Sequence, residues 1–503
     1  MYIVEYKIKN KFNIYKYLEK CFFISFLIRN EIIKHVKKQF KKLKNDKNYN
    51  LLLKERKELK SKNKSLIKIN SDLKTIRESY NLSKAELYIY SKRLMKKYKN
   101  YLSSQMVQAI CDDCLKAFEK VMFSNGKEIH FKKYDDIMCL KCKDISNGFT
   151  FKSIKQGVKR IGTDFHTIIT PDGQAFNFEI DKNDIYEVNA FRPNDIKYIQ
   201  ITRKQFYNYY HYYIQFVTDG VPPLKIHKGS GSSGIDIGVS SVAAVCDNNC
   251  FLEDLNPYSK SCEKKIIKKQ NDLNRKLTLN NKNKIENSKF KKGCKLEFSK
   301  NAKKDKKRIR TLQRKKKETD KQYKCKIANK IIQNCDNIYI EPTNFDALKK
   351  RSKKTERSDK PSIVKGKTIY KYKKKKRFGS TIQNKSPSKF VEILNYKCKY
   401  LDIPVIEIDT KSFKASQYNH QKDEYFKKSL SQRWNMLNLN DKTVVFIQRD
   451  LYSAFLIKNS DSTLMRADKN KCNENFKRFV YHHNKCINLV RKTNNDRLSC
   501  FGF

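Results

Sequence analysis

The sequence feature that most constrains this chain is a strand-like segment that carries one carboxylate between two glycines. It reads Gly234-Ile235-Asp236-Ile237-Gly238-Val239, and the small apolar run Ser241-Val242-Ala243-Ala244-Val245 follows it. The β-branched residues predict a buried β-strand with a second short strand after it. A buried Asp is costly to keep ionised unless it is paired or binds a metal, and the glycines let a ligand approach the backbone closely. One such strand is a weak signal, so its meaning depends on partner carboxylates elsewhere.

Two later segments place carboxylates in comparable settings. Ile338-Tyr339-Ile340-Glu341-Pro342-Thr343 is a second predicted strand that ends in a carboxylate, and residues 405–409 form a further core strand. Residues 444–457 then put Asp450 near the start of an amphipathic helix. Two strand ends and a helix start can converge on one edge of a sheet. Each acid alone is more often a surface residue, but clustered carboxylates repel one another and persist where divalent cations neutralise them.

The type of ligand indicates the metal and the reaction. Carboxylate oxygens are hard ligands, which favour Mg²⁺ or Mn²⁺. Two such ions close together can activate a water and stabilise the leaving oxygen of a phosphodiester. The trio Asp236, Glu341 and Asp450 therefore predicts a metal-dependent nuclease site, in which all three residues are both metal ligands and catalytic acids.

The charge of the chain indicates a polyanionic partner. It has 111 Lys and Arg against 52 Asp and Glu in 503 residues, which gives a formal net charge of +59. That excess is far more than solubility requires. The 29 Tyr and 30 Phe interleaved with the basic residues suit stacking on bases, so nucleic acid fits better than a membrane surface. A Lys-rich and Asn-rich proteome contributes to the composition, but it does not by itself double cations over anions.

The three acidic segments resemble a known family. Gly-Ile-Asp236-Ile-Gly, Ile-Tyr-Ile-Glu341-Pro-Thr-Asn-Phe and Gln-Arg-Asp450-Leu-Tyr-Ser-Ala resemble the three split motifs of a RuvC nuclease domain. Their order, and the Lys-rich helical hairpin between the first two, are similar to TnpB, the transposon-encoded RNA-guided nuclease family related to compact type V CRISPR effectors. The resemblance is most specific over residues 230–460 and extends more loosely to the N-terminal half.

The resemblance implies a fold, a cofactor and partners. The fold would be α/β plus helical, with an RNase H-like RuvC domain built as a mixed sheet with flanking helices. The cofactors would be Mg²⁺ or Mn²⁺ and a guide RNA, and the partners would be double-stranded target DNA and its displaced single strand. The residues themselves leave alternatives open: an unguided nuclease, a compact type V effector, a catalytically idle RNA-guided DNA-binding protein, or a transposition protein.

The cysteines depart from the usual pattern of that family. Many TnpB proteins carry two Cys-x-x-Cys pairs of a zinc finger between the second and third motifs, whereas residues 410–434 contain no cysteine. We therefore expect packing, with the single Trp434, to hold this region together. Two pairs occur earlier, at Cys111/Cys114 and Cys139/Cys142. The first pair falls in a predicted helix, where ordinary buried thiols are expected, and zinc binding by the four cysteines stays open.

The pattern along the chain divides it into predicted parts. Strand-like segments indicate a small β-barrel, a Lys-rich helical stretch interrupts it, and a Gly/Ser run separates it from the nuclease domain. The parts are a wedge-like β-barrel (1–13 and 126–228), a helical recognition lobe (14–125), a flexible linker (229–233), the RuvC-like domain (234–460) with a Lys-rich helical insertion (259–335), and a C-terminal tail (461–503).

Four smaller expectations complete the prediction. The apolar stretch Cys21–Ile28 is only eight residues long, too short to span a membrane, and predicts a buried part of a helix. No secretory signal is visible and the fifteen cysteines are scattered, so a cytoplasmic, nucleoid-associated and bacterial protein with reduced thiols is expected, with no membrane partner. The basic stretch Arg351–Arg377 is predicted to be disordered without a partner. The pair His482-His483 has no nearby carboxylate and is predicted to lie on the surface or to contact RNA.

Overall fold

The structure is a computed structural model of the chain, and it separates into two units, residues 1–223 and 224–503. It describes residues 1–493, 501 and 502 except for 9–11, 63–64, 99–100, 124–125, 127, 145–147, 154–162, 182, 208, 224, 287–288, 292, 350–356, 365–366, 373–377, 430 and 441–442. At some of the described positions, only the backbone is described.

The first unit contains seven described strands in two antiparallel sheets. They are β1 (Tyr2–Lys7), β2 (Cys139–Lys141), β3 (Thr150–Ser153), β4 (Thr163–Ile169), β5 (Ala175–Asp181), β6 (Ile196–Phe206) and β7 (Tyr209–Thr218). One sheet has the order β1-β7-β6-β2 and the other has the order β3-β4-β5. Strand β1, near the N-terminus, pairs antiparallel along β7.

Among the described residues the strands of this unit form two separate sheets, so the predicted barrel is not confirmed. The sheets meet through aromatic side chains instead of a continuous backbone ladder. Phe178 of β5 stacks on Tyr6 of β1 with ring centroids 5.4 Å apart, and it lies 5.0 Å from the ring of Phe216 of β7. All three rings are buried in one core. Side-chain packing of this kind joins two sheets face to face without closing them into a barrel.

The helical prediction for residues 14–125 is confirmed by five helices. They are α1 (Phe12–Lys44), α2 (Lys47–Ser61), α3 (Ile67–Ser79), α4 (Lys84–Lys96) and α5 (Ser104–Phe123), and a short α6 (Ile185–Ala190) follows later, with 3₁₀ turns at Tyr134–Asp136 and Pro193–Asp195. Ser83 caps α4, because its side chain accepts a hydrogen bond from the Glu86 amide at 3.2 Å. The apolar stretch Cys21–Ile28 lies within α1, and Cys111 and Cys114 are buried in α5, as predicted.

The second unit is organised around a mixed five-stranded sheet, as predicted. Its strands are β8 (Ser232–Ile237), β9 (Ser241–Cys246), β10 (Cys250–Asp254), β13 (Asn337–Ile340) and β16 (Val405–Glu407). Their order is β10-β9-β8-β13-β16. The first three strands pair antiparallel, whereas β8, β13 and β16 run parallel to one another. The strand that carries Asp236 is therefore the central one.

Helices cover both faces of this sheet. They are α7 (Ser259–Asn280), α8 (Lys300–Ile332), α9 (Phe345–Lys349), α10 (Gly379–Lys385), α11 (Pro387–Tyr400), α12 (Thr410–Phe413), α13 (Arg449–Lys458) and α14 (Lys469–Thr493), with a 3₁₀ turn at Lys282–Lys284. One core lies under α13 and α14, and the other lies under α8 and α11. The predicted Lys-rich helical insertion (259–335) contains the two long helices α7 and α8, which pack against each other.

Four two-stranded hairpins complete the second unit. They are β11–β12 (Ile285–Glu286 and Lys289–Phe290), β14–β15 (Arg357–Val364 and Lys367–Tyr372), β17–β18 (Tyr418–Asn419 and Glu424–Tyr425) and β19–β20 (Trp434–Asn440 and Thr443–Gln448). The prediction of disorder for Arg351–Arg377 is wrong where this stretch is described, since β14 and β15 form an antiparallel ladder. Residues 351–356, 365–366 and 373–377 lie outside the described residues.

Two segments are more closely packed than the sequence suggested. The Gly/Ser run at 229–233 leads directly into β8, and the Gly229 amide donates a hydrogen bond to the carbonyl of Ile332 at 3.0 Å. The region predicted as a tail contains α14, whose Phe476 and Val490 are buried in the core beside α13. Both segments therefore belong to the packed structure of the second unit.

Within the described part of the chain, none of the helices combines the length and apolar character that crossing a membrane requires.

Candidate functional site

The fold brings two of the predicted acids side by side. Strands β8 and β13 are parallel and in register, with Ile235 opposite Ile340, so Asp236 and Glu341 are the next pair along. The Glu341 amide donates to the carbonyl of Ile235 at 3.4 Å, which continues the pairing past the end of β13. Ile235 and Ile340 are both buried in the core under α8 and α11. Because side chains alternate along a strand, the two carboxylates face the other side of the sheet.

That other side of the sheet is covered by α13, the helix that carries Asp450. The helix packs so tightly on β8 that a Cβ atom at Gly234 would lie 2.1 Å from the Ala454 carbonyl oxygen and 2.4 Å from the Lys458 nitrogen. Only a glycine permits this approach. Asp450 stands in the first turn of α13, where the helix dipole favours a carboxylate, and its side chain is 17% exposed. Close packing at Gly234 thus fixes where Asp450 stands relative to Asp236.

Two buried polar residues, Gln448 and His483, hold the start of α13 in place. The Gln448 side-chain oxygen accepts a hydrogen bond from the Leu451 amide at 2.8 Å and so caps the helix. The Gln448 amide in turn donates to Nε2 of His483 at 3.0 Å. His483 is 1% exposed, so the prediction that it lies on the surface or contacts RNA is wrong. It lies on the inward side of the amphipathic helix α14, whereas the neighbouring His482 is only half-buried.

The pKa of Asp236 depends on both of the other predicted acids. Burial is the main cause that raises the pKa of Asp236 well above its ordinary value, and the negative charges of Asp450 and Glu341 raise it further. The guanidinium of Arg449 acts in the opposite direction. Burial also raises the pKa of Glu341. Burial and mutual repulsion push carboxylates toward the neutral form. A nearby cation would favour their ionised form instead.

Two arginines that the sequence analysis did not single out contact Asp450. Arg449 donates from Nε and Nη2 to one carboxylate oxygen of Asp450, both at 3.2 Å, and Nη1 of Arg433 lies 3.8 Å from the other oxygen. Arg449 directly precedes Asp450 in the Gln-Arg-Asp segment, and this adjacency is the sequence signal that could have identified it as a residue of the site. Among the residues that the structure describes, no three His, Cys, Asp or Glu side chains are grouped to hold a metal ion.

A cavity adjoins Glu341 at the same end of the sheet. It has a volume of about 420 Å³ and is lined by residues that follow β13, by α11 and by the end of β16. Glu392 and Glu407 contribute two more carboxylates to its wall. The carboxyl ends of parallel strands are where open α/β sheets bind ligands. Ile237, Ile340 and α11 also line this cavity, so it lies on the α11 side of the sheet, and of the three predicted acids Glu341 alone is among its lining residues in the described part of the chain.

The remaining sequence candidates are distributed elsewhere. Trp434 packs at the base of the β19–β20 hairpin, and its indole donates to the Gly502 carbonyl at 3.0 Å, so packing holds this region as expected. Burial raises the pKa of the Cys139 thiol to about 12 and that of the Cys142 thiol to about 11. Both thiols are therefore protonated in the metal-free chain, and zinc binding by the four cysteines stays open.

The Lys-rich hairpin of α7 and α8 has an ordered basic surface. Asp305 is the single acid in the basic run 302–317 of α8. It is buried, and it forms ion pairs with Lys276 and, at 3.8 Å, with Lys269 of α7. These pairs hold the two helices together. Other lysines of α8 are exposed to solvent, including Lys303 and Lys315. An exposed row of cations on a long helix is typical of a surface that binds phosphates.

Comparison with known proteins does not assign this chain to a family. No family model matches the sequence, and no curated protein matches it either. A solved structure described as a cryo-EM structure of a CRISPR-Cas12f ternary complex is similar at 14% sequence identity and a TM-score of 0.28. The match covers 92% of this chain and 87% of that chain. Likeness at this level transfers neither a fold nor an activity to the present protein.

Proposed function

We propose that the chain is an RNA-guided, divalent-metal-dependent DNA endonuclease whose second unit is an RNase H-like nuclease domain. The observation that supports this proposal is that β8, β13 and α13, the elements that hold or adjoin Asp236, Glu341 and Asp450, pack against one another. Asp236 comes from the central strand, Glu341 from the parallel strand beside it, and Asp450 from the helix packed across both. The resemblance of the three segments to the split RuvC motifs of the TnpB family supports the same conclusion.

The donor chemistry supports a metal at this site. Asp236, Glu341 and Asp450 would hold Mg²⁺ or Mn²⁺, and the bound ions would supply an activated water and charge stabilisation at the scissile phosphate. The raised pKa of Asp236 fits this role, because a divalent cation would favour the ionised carboxylates that now repel one another. Arg449 and Arg433 would have two roles here, since a guanidinium that pairs with Asp450 in the free chain is also a donor suited to phosphate oxygens.

The basic surface supports a nucleic-acid substrate. A net charge of +59 and the exposed lysines of α8 would bind phosphate backbones without reading sequence. Guidance by RNA rests on the family resemblance alone. The site would then cut DNA that base pairing has selected.

A specific observation favours a second function, an RNA-guided DNA-binding protein with an idle nuclease site. Asp450 is paired with Arg449, and the described residues contain no ready metal-binding group. In this case the chain would bind the same nucleic acids but would not cut them with any divalent cation. The two functions therefore differ in cleavage and agree in binding.

One comparison of variants tests the nuclease assignment. Asp236→Ala and Asp236→Asn should each reduce Mg²⁺-dependent DNA cleavage by at least about 1,000-fold, because they remove a metal ligand. Binding of the same DNA should change by less than about twofold, because no phosphate contact is lost. Glu474→Gln, an exposed acid on α14, is the matched control and should cut normally. Cleavage that persists in both Asp236 variants would show that the site is wrongly assigned, and an inactive wild type would favour the idle protein.

A separate measurement tests guidance. The protein is purified from its own host, and the RNA that accompanies it is sequenced. One abundant RNA that begins beside the gene would support guidance. A random mixture would indicate binding by charge alone. The genes around it, a repeat array or a transposon end, would separate a type V effector from a transposon-encoded nuclease.

A further inference from the structure

Another cavity of the second unit lies among the helices α7, α8 and α10. Its volume is about 390 Å³, which is within the range of about 300–1,000 Å³ that is typical of small-ligand sites. Helix α8 covers the face of the central sheet opposite to α13. In the described part of the chain, none of the three predicted acids is among the residues that line this cavity.

Each of the two long helices presents one face to the cavity. Helix α7 lines it with Glu263, Ile266, Ile267 and Gln270. Helix α8 lines it with Gln313, Lys316, Lys317 and Asp320. Residues with this spacing lie on one side of a helix, and a side that only packs against another helix is normally apolar. Here two of the eight side chains are isoleucines and the other six are polar, so the cavity is suited to a polar ligand.

Hydrogen bonds between the helices hold the walls in place. Nζ of Lys316 donates to Oδ1 of Asn384 at 2.7 Å, and Nδ2 of Asn384 donates to Oε2 of Glu263 at 2.6 Å. These two bonds join α8 to α10 and α10 to α7. Asp320 is paired with Lys324, whose side chain is 0% exposed. Because the walls are already ordered, a ligand would not lose affinity by ordering them.

The charges of the lining residues balance, in contrast to the chain as a whole. Two acids, Glu263 and Asp320, and two lysines, Lys316 and Lys317, line the cavity, whereas the net charge of the chain is +59. A cavity without net charge gives a phosphate backbone little attraction. Its neutral polar groups therefore decide what it binds.

Three glutamines supply these neutral groups. Gln270 of α7, Gln313 of α8 and Gln383 of α10 line the cavity, and each is exposed and has no hydrogen-bond partner for its side chain among the described residues. A primary amide can donate and accept at the same time. Ile267, which is 46% exposed, adds an apolar surface to the same cavity. Amides beside an aliphatic surface suit a flat heteroaromatic ring, whose edge forms hydrogen bonds and whose face packs.

We propose that this cavity binds one adenine nucleotide, as a free nucleotide or as an unpaired nucleotide of a strand. Adenine presents its N6 amine, a donor, next to a ring nitrogen that accepts, and the amide of a glutamine pairs with both at once. The exposed ammonium of Lys317 would be available to the phosphate of the same nucleotide. The proposal is independent of the nuclease assignment, because it concerns binding at a separate site.

The first test compares two labelled twelve-nucleotide DNA strands by fluorescence anisotropy. One strand contains only thymine and the other has a single central adenine, and both are added to the full chain in EDTA, which prevents metal-dependent cleavage. The phosphates attract both strands equally, so the ratio of the two Kd values isolates the contribution of the base. The strand with adenine should bind at least about fivefold more tightly, which is the lower limit for one bidentate pair of an amide and a base.

Variants and a base analogue assign this preference to the cavity. The double variant Gln270→Leu and Gln313→Leu should reduce the preference to less than about twofold, because it removes two amides and keeps two good helix formers. Gln322→Leu makes the same change at an exposed position of α8 outside the cavity and should keep the preference. In the wild type, replacing the adenine by purine, which lacks the N6 amine, should abolish the preference, and this comparison does not depend on the folding of a variant.

Equilibrium dialysis with radiolabelled adenosine monophosphate distinguishes the two sources of the nucleotide. Binding of the monophosphate that the double variant loses shows that a free nucleotide fills the site. A strand preference without such binding shows that the adenine has to belong to a strand. Equal binding of both strands together with no binding of the monophosphate overturns the proposal. It is also overturned if the double variant keeps the preference, or if a strand with a central guanine or cytosine binds as tightly as the strand with adenine.

Discussion

The contact between β8 and α13 allows a sharp prediction about Gly234. Replacing Gly234 by alanine places a methyl group 2.1 Å from the Ala454 carbonyl oxygen, and ordinary contact for such a pair begins near 3.4 Å. The obstructing atoms belong to the helix backbone and cannot rotate away, so α13 has to retreat by about 1.3 Å. Overpacking of this kind costs about 1–3 kcal/mol, or roughly 3–10 °C in the melting temperature of a unit of this size. A shift of about 1 Å between Asp450 and Asp236 should also reduce cleavage by about 100-fold.

Two assays check this prediction. Thermal unfolding followed by circular dichroism gives the change in stability, and DNA cleavage with Mg²⁺ gives the change in activity. The control for stability is Gly238→Ala in the same segment, where the new methyl group meets the Ser241 hydroxyl at 3.3 Å and should be tolerated. If Gly234→Ala melts at the wild-type temperature, α13 is not packed on β8 as described, and the geometric basis for the acidic site fails.

Three further predictions concern stability. In EDTA at pH 7, Asp236→Asn should raise the melting temperature, because it removes repulsion from the two partner acids; a lower melting temperature would contradict this. Lys385→Met should cost about 3–5 kcal/mol in urea unfolding, because it removes the ammonium that pairs with Asp254, whose side chain is 10% exposed, whereas the exposed Lys389→Met should cost almost nothing. Burial lowers the pKa of His483 from 6.5 to about 4, so its contribution is complete above pH 6.5 and is lost as pH falls toward 4. That loss is about 2 kcal/mol between pH 7 and pH 5, and His483→Gln should remove this part of the pH dependence.

The local elements were largely predictable because they depend on local patterns. The alternation around Asp236 and Ile338 predicted two strands, and the amphipathic spacing before Cys114 predicted a helix with buried thiols. The Ser83 cap is equally local, because the Glu86 amide that it accepts from lies three residues away. In each case the sequence neighbours themselves supply the hydrogen bonds or the apolar face. Long-range packing does not change such outcomes.

The errors arose where distant parts of the chain meet. His483 looked like a surface residue because its neighbours are polar, yet its partner, Gln448, lies 35 positions away. The predicted barrel stays a prediction, because strand content does not determine which edges pair. The stretch Arg351–Arg377 looked too charged to fold, but its described strands satisfy each other's backbone groups in a hairpin.

The sequence by itself determined which residue types the candidate site uses: three acids in apolar, strand-like or helical settings, within a chain too basic for most partners other than nucleic acid. The tertiary structure alone decided that Asp236 and Glu341 are neighbours in register, and that Gly234 lets α13 bring Asp450 to the same face. It also decided that Arg449 contacts Asp450. Strand register and helix docking depend on contacts between residues far apart in the chain, and local patterns carry no record of them.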